Sequence, residues 1–272
     1  RNKAFPRQIF AIENLMSKPP RVAIAQILTK IIEGRSLNAL LPGELKNVEE
    51  PNKPFCKELI YGALREWHAL LGISRHLLKK PFRRKDRDLL AIICCGIYEL
   101  GHMRTPAHAT VSEWVSAART LNKAWATGLI NRSLREFQRV GSQSLWRCSA
   151  GEHAALPEWL FDCLQTEYGA ATKQISDAMR KHPPMWLRVN QRRVNPTDYL
   201  HKIRSLGIKA NLASNTGSAV LLDQPIDVTA LPGFAEGEVS VQDISAQLAA
   251  DFLAPQPDER VLDACSAPGG KA

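Results

Sequence analysis

Residues 263–272, DACSAPGGKA, have the residue types and spacing with the clearest chemical meaning in this sequence. The pattern predicts a helix over 245–253 and a short strand over 260–262 ahead of them. Two consecutive glycines let a ligand approach the backbone closely, because no Cβ stands in the way. Pro268 fixes the bend, and Lys271 is expected in the first turn of a following helix. A small-residue loop after a buried strand indicates the first turn of a nucleotide-type α/β fold.

The loop departs from two familiar phosphate-binding fingerprints. A dinucleotide site has the spacing GxGxxG, and a P-loop has Ser or Thr after its GK pair, where this sequence has Ala272. A plain Pro-Gly-Gly turn between a strand and a helix is the structural alternative. The run D-x-C-x-A-P-G-G-K instead resembles the S-adenosylmethionine loop of RNA (cytosine-5) methyltransferases. Related loops of ribose 2′-O-methyltransferases also have A-P-G-G, usually with an aromatic residue in place of Lys271. The resemblance implies S-adenosyl-L-methionine as the cofactor, bound by Cys265, Ser266, Ala267, Pro268, Gly269, Gly270 and Lys271.

Further phrases along the chain resemble the RsmB (Sun, Fmu) family of bacterial ribosomal RNA small-subunit (cytosine-5) methyltransferases. From about residue 21 onward they follow the family's order: EGRSL at 33–37, ELIYGALR at 58–65, GIYEL at 96–100, PAHA at 106–109, GLIN at 128–131, PMWLRVN at 184–190, LPGF at 231–234 and VQD at 241–243. The resemblance implies an amino-terminal, all-helical domain similar to the antitermination factor NusB, an RNA-binding fold. It also implies small-subunit (16S) ribosomal RNA as the partner and substrate.

The elements that must position these groups are predicted to form an α + α/β protein. An all-helical NusB-like bundle is followed by a small α/β subdomain and the start of a Rossmann-like, S-adenosylmethionine-dependent methyltransferase domain. The polar stretch 141–144 is interpreted as a linker. The expected limits are an amino-terminal extension at 1–20, the NusB-like RNA-binding domain at 21–146, the α/β subdomain at 147–237 and the start of the catalytic domain at 238–272.

Apolar residues at helical spacing predict the core of the bundle. The stripes contain Ile24, Ile27, Leu28, Ile31 and Ile32; Leu89, Leu90, Ile93, Ile97 and Leu100; Val111, Trp114, Val115, Ala118 and Leu121; and Trp125, Leu129, Leu134 and Phe137. Their aromatic residues are assigned to packing and to no ligand. Gly34 predicts the end of a helix. His108, where another helix should begin, is interpreted as a capping or packing residue and not as a general base.

Alternating segments in the second half predict a small α/β unit. They are helices over 157–168 and 196–206 and strands over 185–190, 208–213 and 219–222. Arg188 and Asn190 in the first of these strands are candidates for RNA contact. The alternative for Arg188 is a local ion pair.

Charge is distributed unevenly along a chain whose net charge is +9. Residues 1–146 hold 24 Lys and Arg against 12 Asp and Glu, whereas residues 147–272 hold 12 against 15. A basic half joined to a near-neutral half indicates that one part holds a polyanion. The densest cluster is KKPFRRKDR at 79–87, where Pro81 interrupts any helix. We expect this loop to contact RNA phosphates through Arg83, Arg84, Lys85 and Arg87, a solvated interhelical loop being the alternative.

The cysteines indicate neither a metal site nor a nucleophile within this chain. The six cysteines contain no C-x-x-C pair, so we expect no metal, and the adjacent Cys94 and Cys95 are assigned to packing. The resemblance implies a cysteine thiolate that adds to carbon 6 of cytosine and so activates carbon 5. The family's cysteines follow Pro and Thr downstream of the cofactor loop, and neither motif occurs here. Cys265 falls in the cofactor loop, so we do not assign it as the nucleophile. We therefore expect no catalytic residue within these residues and a nucleophile beyond Ala272. The chain by itself is expected to be inactive.

The remaining expectations concern the cellular setting. No apolar run approaches the roughly 20 residues of a membrane span, and no charged-then-apolar leader precedes a cleavage site. We therefore expect a cytoplasmic protein with reduced thiols, no membrane partner and a monomeric state. A NusB-like RNA-binding module without catalysis is the alternative to a ribosomal RNA methyltransferase.

Overall fold

The computed structural model describes residues 17–144, 148–214, 216–264 and 266. They form two compact units that divide between Lys181 and His182. Each unit has its own hydrophobic core. The domain limits of the sequence analysis stay a prediction.

The described residues of the first unit form a helical bundle. Its helices are α1 (Pro20–Ile32), α2 (Leu37–Glu44), α3 (Lys53–Arg65), α4 (Trp67–Leu77), α5 (Arg87–His102), α6 (Ala107–Thr120), α7 (Thr127–Ser144), α8 (Ala150–His153), α9 (Glu158–Tyr168) and α10 (Thr172–Met179). Helix α5 is central, because α1, α3, α4, α6 and α7 all pack against it. Its sequence is apolar on nearly every side, which is typical of a helix surrounded by others.

The apolar stripes predicted from the sequence lie in this core. Their buried members are Ile24, Ile27, Leu28, Leu89, Ile93, Ile97, Val111, Trp114, Ala118, Leu134 and Phe137. The assignment of Trp125 to the core was wrong, since its side chain is 65% exposed. Trp125 lies in the 3₁₀ turn Ala124–Ala126, where the helical period breaks between α6 and α7. In that turn Ala126 points into the core instead.

Helix ends in the first unit occur where the residue types require them. Gly34 follows α1 with a φ of +94°, a conformation that favours glycine. Pro81 lies between α4 and α5, as expected from its missing N–H. The predicted linker at 141–144 is helical up to Ser144, but Gly141 interrupts α7 with a φ of +70°.

A buried carboxylate ties three helices of the bundle together. Glu99 on α5 is fully buried and accepts hydrogen bonds from Arg21 on α1, at 2.5 and 3.1 Å. It also accepts from the Trp114 indole at 2.8 Å and from the Thr110 hydroxyl at 3.2 Å, both on α6. Burying a charge is costly unless it is paired and hydrogen-bonded, and these donors meet both conditions.

The second unit is built on a four-stranded sheet. Its elements are β1 (Met185–Val189), α11 (Pro196–Ser205), β2 (Ala210–Leu212), β3 (Ala219–Leu222), β4 (Val239–Val241) and α12 (Ile244–Leu253). The strand order is β2-β3-β1-β4, and each neighbouring pair is antiparallel. Leu187 and Val189 of β1 pack with Tyr199 and Ile203 of α11.

This topology corrects the expectation of an α/β unit. Strands β1 and β2 are both antiparallel to β3, so they are parallel to each other, and α11 connects them. Because β3 lies between them, the arrangement is a split β-α-β with an antiparallel sheet. Strand β4, in the predicted 238–272 segment, belongs to the same sheet as β1.

The strand predicted over 260–262 was wrong. These residues have no regular structure, and the side chains of Val261 and Leu262 are 55% and 88% exposed. A strand needs a hydrogen-bonded neighbour, and none of the four described strands pairs with this segment. Helix α12 is as predicted, with Asp243 accepting a hydrogen bond from the Ser245 N–H at 2.8 Å.

Candidate functional site

The basic loop, residues 79–87, connects α4 to α5 and is fixed to the bundle at two points. Phe82 packs against the hydrophobic core. Asp86 is buried, and its carboxylate accepts a hydrogen bond from the Lys123 ammonium at 2.6 Å. Lys123 also donates to the Lys85 carbonyl at 3.0 Å and lies 3.6 Å from Asp88. The loop is therefore anchored although its sequence is strongly charged.

The hydrogen bond to Asp86 raises the pKa of Lys123 above its usual range. The two neighbouring carboxylates add to this effect, while partial burial opposes it. Lys123 thus stays protonated at neutral pH and holds the loop to the turn between α6 and α7.

The cationic side chains of the basic loop are largely accessible to solvent. Arg83, Arg84 and Lys85 are exposed, and Arg87 is half-buried. Within the part of the chain that the structure describes, none of the four forms an ion pair with a carboxylate. The structure thus brings the four predicted RNA-binding residues to one surface, where their charges are available to a polyanion.

Arg188 and Asn190 line a cavity within the second unit. This cavity of about 670 Å³ is also lined by Arg192, Ser240 and Asp251. The Asn190 amide donates to the Gly237 carbonyl at 3.0 Å and accepts from the Arg192 N–H at 3.2 Å. Asn190 therefore shapes its own loop, and Arg188 is the half-buried cation that remains at the cavity wall.

The predicted cofactor loop falls almost entirely outside the described residues. Ser266 is described and is exposed. Cys265, Ala267, Pro268, Gly269, Gly270 and Lys271 lie outside them, so these assignments stay predictions.

The adjacent Cys94 and Cys95 agree with their assignment to packing, whereas Cys163 is exposed. Cys94 and Cys95 are fully buried, and burial raises the pKa of the Cys94 thiol to about 12. Burial also raises the pKa of Cys56 to about 11, although the charge of Arg21 opposes this. These thiols are therefore neutral at physiological pH and poor nucleophiles. No group of three His, Cys, Asp or Glu side chains within the described ranges could hold a metal ion.

Sequence reasoning missed a set of polar residues between α6 and α7. His108 is exposed at the start of α6, without the capping role considered for it, and lines a cavity with Arg119 and Arg135. The two arginines are 16 positions apart in the sequence, so no local pattern joins them. Only the packing of α6 against α7 brings them together.

Comparison with known families divides the chain in a similar way. Residues 18–139 match the model of the NusB family, which covers most of the helical bundle. Residues 156–229 match a model described as "Methyltr_RsmF/B-like, ferredoxin-like domain". Among the described residues, every helix is too short or too polar to span a lipid bilayer.

Several curated relatives share the name ribosomal RNA small subunit methyltransferase B. The protein from Pseudomonas syringae pv. tomato is 41% identical over 258 residues, which is 93% of this chain and 57% of the relative. The Pseudomonas putida protein is 41% identical over 93% of this chain and 58% of its own length. The Vibrio cholerae protein is 40% identical over 92% of this chain and 58% of its own length. The chain thus spans less than two thirds of these relatives.

A solved structure shows the same fold at low sequence identity. The crystal structure of PH0851 superposes with a TM-score of 0.64 and 17% identity, covering 94% of this chain and 60% of that one. At such identity the likeness concerns the fold alone.

Proposed function

Because this chain belongs to the ribosomal RNA small subunit methyltransferase B family over the part of those proteins that it covers, we propose that it serves the methylation of small-subunit ribosomal RNA. In this proposal the whole protein transfers a methyl group from S-adenosyl-L-methionine to carbon 5 of a cytosine. Residues 1–272 hold the RNA and are inactive alone, since no Pro-Cys or Thr-Cys pair occurs in them. The monomeric state and cytoplasmic location stay predictions.

The observation that carries the proposal is the extent of the identity. An alignment over 93% of the chain must include both compact units, because the second unit begins at His182. A protein that shared only an RNA-binding bundle with these relatives would align over the first unit alone. The similarity therefore favours kinship with the whole methyltransferases over kinship with a separate RNA-binding bundle.

The proposed cofactor site rests on the sequence of the loop from Cys265 to Lys271. S-adenosyl-L-methionine, when bound, supplies a methyl group on a positively charged sulfur. The part proposed for this chain is binding, with Gly269 and Gly270 leaving room for the ligand beside the backbone.

The proposed role of the first unit is to hold RNA through phosphates. This role is supported by the exposure of Arg83, Arg84 and Lys85, which have no ion-pair partner among the described residues, and by the match to the NusB family. Phosphate contacts fix the position of a nucleic acid and have little dependence on its sequence. The choice of cytosine is therefore left to other parts of the protein.

A second candidate function is that of an RNA-binding module without catalysis. The observation in its favour is that the NusB match, at residues 18–139, includes all the buried residues of the first unit's hydrophobic core, from Val22 to Phe137. Under this alternative, loss of the gene would leave every methylated cytosine of the ribosomal RNA unchanged.

Bisulfite sequencing of small-subunit ribosomal RNA from a deletion strain tests the proposal. We expect one protected cytosine to become convertible in the deletion strain, because its 5-methyl group is missing. The full-length gene should restore protection, and a gene for residues 1–272 should not. An unchanged pattern at every cytosine would refute methylation, and restoration by residues 1–272 would refute the inactivity of this chain.

A further inference from the structure

A polar groove lies between α6 and α7 in the first unit. It forms a cavity of about 430 Å³, which is lined by Arg119, Arg135, His108, Asn131 and Thr127 among others. The side chains of Arg119 and Arg135 are exposed, one on each wall of the groove. Gly128 also lines it, and a Cβ at this position would meet nothing within 4 Å, so this part of the groove is open.

The groove is basic because it is lined by two arginines and, among the described residues, by no Asp or Glu. Within the described residues neither Arg119 nor Arg135 forms an ion pair. Arg139, one turn further along α7, pairs with Glu136 at 2.6 Å. The cavity beside α4 contains Glu152, and that of the second unit contains Asp251. Two guanidinium groups without a carboxylate partner among the described residues, beside neutral side chains that include Val111 and Val115, suit a chain of phosphates.

The turn that joins the two walls of the groove contacts the basic loop defined above. Lys123, in the turn that joins α6 to α7, donates to the Lys85 carbonyl and the Asp86 carboxylate of that loop. The turn therefore lies directly against the loop. The same turn thus contacts the basic loop and joins the two helices that carry Arg119 and Arg135.

An exposed aromatic side chain lies in the same turn. Trp125 is 65% exposed and precedes Thr127, a lining residue of the groove, by two positions. Its exposed indole offers a flat aromatic face on which another ring can stack. Unpaired bases of single-stranded RNA stack on aromatic side chains beside basic grooves, whereas bases in a duplex are not accessible in this way.

We propose that the groove between α6 and α7 binds a single-stranded segment of ribosomal RNA, with Arg119 and Arg135 on its phosphates and Trp125 against a base. This inference rests on the proposed function, since it takes RNA to be the ligand. It adds to the basic loop a second contact area, and one that distinguishes single-stranded from duplex RNA.

Binding of the 272-residue chain to a single-stranded ribosomal RNA fragment tests the arginines. The variant Arg119→Gln/Arg135→Gln should bind at least about tenfold more weakly, because it removes two charge-assisted hydrogen bonds to phosphate. The slope of log affinity against log salt should fall by about 1 to 2 units. The matched control Arg139→Gln/Lys173→Gln removes the same charge from paired, exposed cations and should change neither quantity appreciably.

Two further variants test the groove without removing a cation. Gly128→Glu places a carboxylate in the open part of the groove and should weaken binding about tenfold, whereas Gly128→Ala should not. An acidic residue in the first turn of α7 is favourable for the helix, so the fold should be retained. Trp125→Ala should weaken single-stranded binding by about tenfold and leave duplex binding unchanged.

Each outcome has a definite meaning. Equal affinities and salt slopes for Arg119→Gln/Arg135→Gln and its control would overturn RNA binding in the groove. The proposed function would remain intact. Displacement of the RNA by inorganic phosphate at constant ionic strength would indicate a free-phosphate site and would also overturn it. If the wild-type chain binds no RNA but the deletion strain loses its methyl group, RNA-holding by this chain is refuted and methylation stands.

Discussion

Arg21 and the arginines of the basic loop lie in the same helical unit in opposite electrostatic situations. Arg21 is mostly buried, and the fully buried Glu99 accepts two of its hydrogen bonds. Arg83 and Arg84 are exposed and form no ion pair within the described residues. The difference teaches that a basic composition does not by itself identify a binding surface. The arginines available to a polyanion are those that have no carboxylate partner among the described residues.

The largest expected effect on stability concerns the buried ion pair of Arg21 and Glu99. Glu99→Gln retains the shape of the side chain but leaves the mostly buried Arg21 guanidinium with only the exposed Glu113 carboxylate nearby. We expect the free energy of unfolding to fall by about 3 kcal/mol, in the range for breaking a buried ion pair. Urea denaturation measures this directly.

Glu113→Gln is the control for that variant. Glu113 lies 3.7 Å from Arg21 but is 59% exposed, so its replacement should change the unfolding free energy by less than about 0.5 kcal/mol. Similar decreases in unfolding free energy for both variants would show that burial of Glu99 does not make its ion pair more important than that of Glu113.

Much of the bundle was predictable because its information is local. Residues such as Ile24, Ile27 and Leu28 follow a helical period, and Gly34 and Pro81 mark helix ends by their own backbone chemistry. The basic loop was also predictable, since its cations are nearly consecutive. The resemblance to a ribosomal RNA methyltransferase family, carried by short phrases of the sequence, is confirmed by relatives at 41% identity.

What the sequence did not predict depends on contacts between distant residues. Arg21 and Glu99 are separated by 78 positions, and nothing near either residue indicates their pairing. Trp125 was assigned to the core because it continues an apolar stripe, although the turn before α7 exposes it. Similarly, Asp86 is one acid among cations in the sequence, but it is the residue that points inward and fixes the loop.

A smaller effect is expected at the ion pair of Lys123 and Asp86, which anchors the basic loop. Lys123→Met should destabilise the protein by about 1 kcal/mol at pH 7, because Asp86 is left without its counterion. The folded-state pKa of Lys123 is raised above its ordinary value of 10.5. Its contribution is therefore fully present below pH 10.5 and disappears as the pH rises through the folded-state pKa. The stability difference between wild type and variant should shrink over that window.

Lys123→Arg provides the matched comparison, because an arginine does not deprotonate in this range. Its stability advantage over Lys123→Met should persist above pH 10.5. Denaturation curves recorded between about pH 7 and pH 11.5 provide the check. A wild-type advantage that does not change with pH would contradict the proposed anchor.

The salt dependence of RNA binding by the unpaired cations is the most direct test of their role. The variant with Arg83, Arg84, Lys85 and Arg87 all replaced by Ala should unfold within about 0.5 kcal/mol of wild type, because these side chains have no ion-pair partner among the described residues. On one ribosomal RNA fragment, the slope of log affinity against log salt should fall by about two to four units, roughly one for each phosphate that is no longer neutralised. Equal slopes for variant and wild type would show that this loop is only a solvated interhelical connection and would contradict its assignment to the RNA-binding surface.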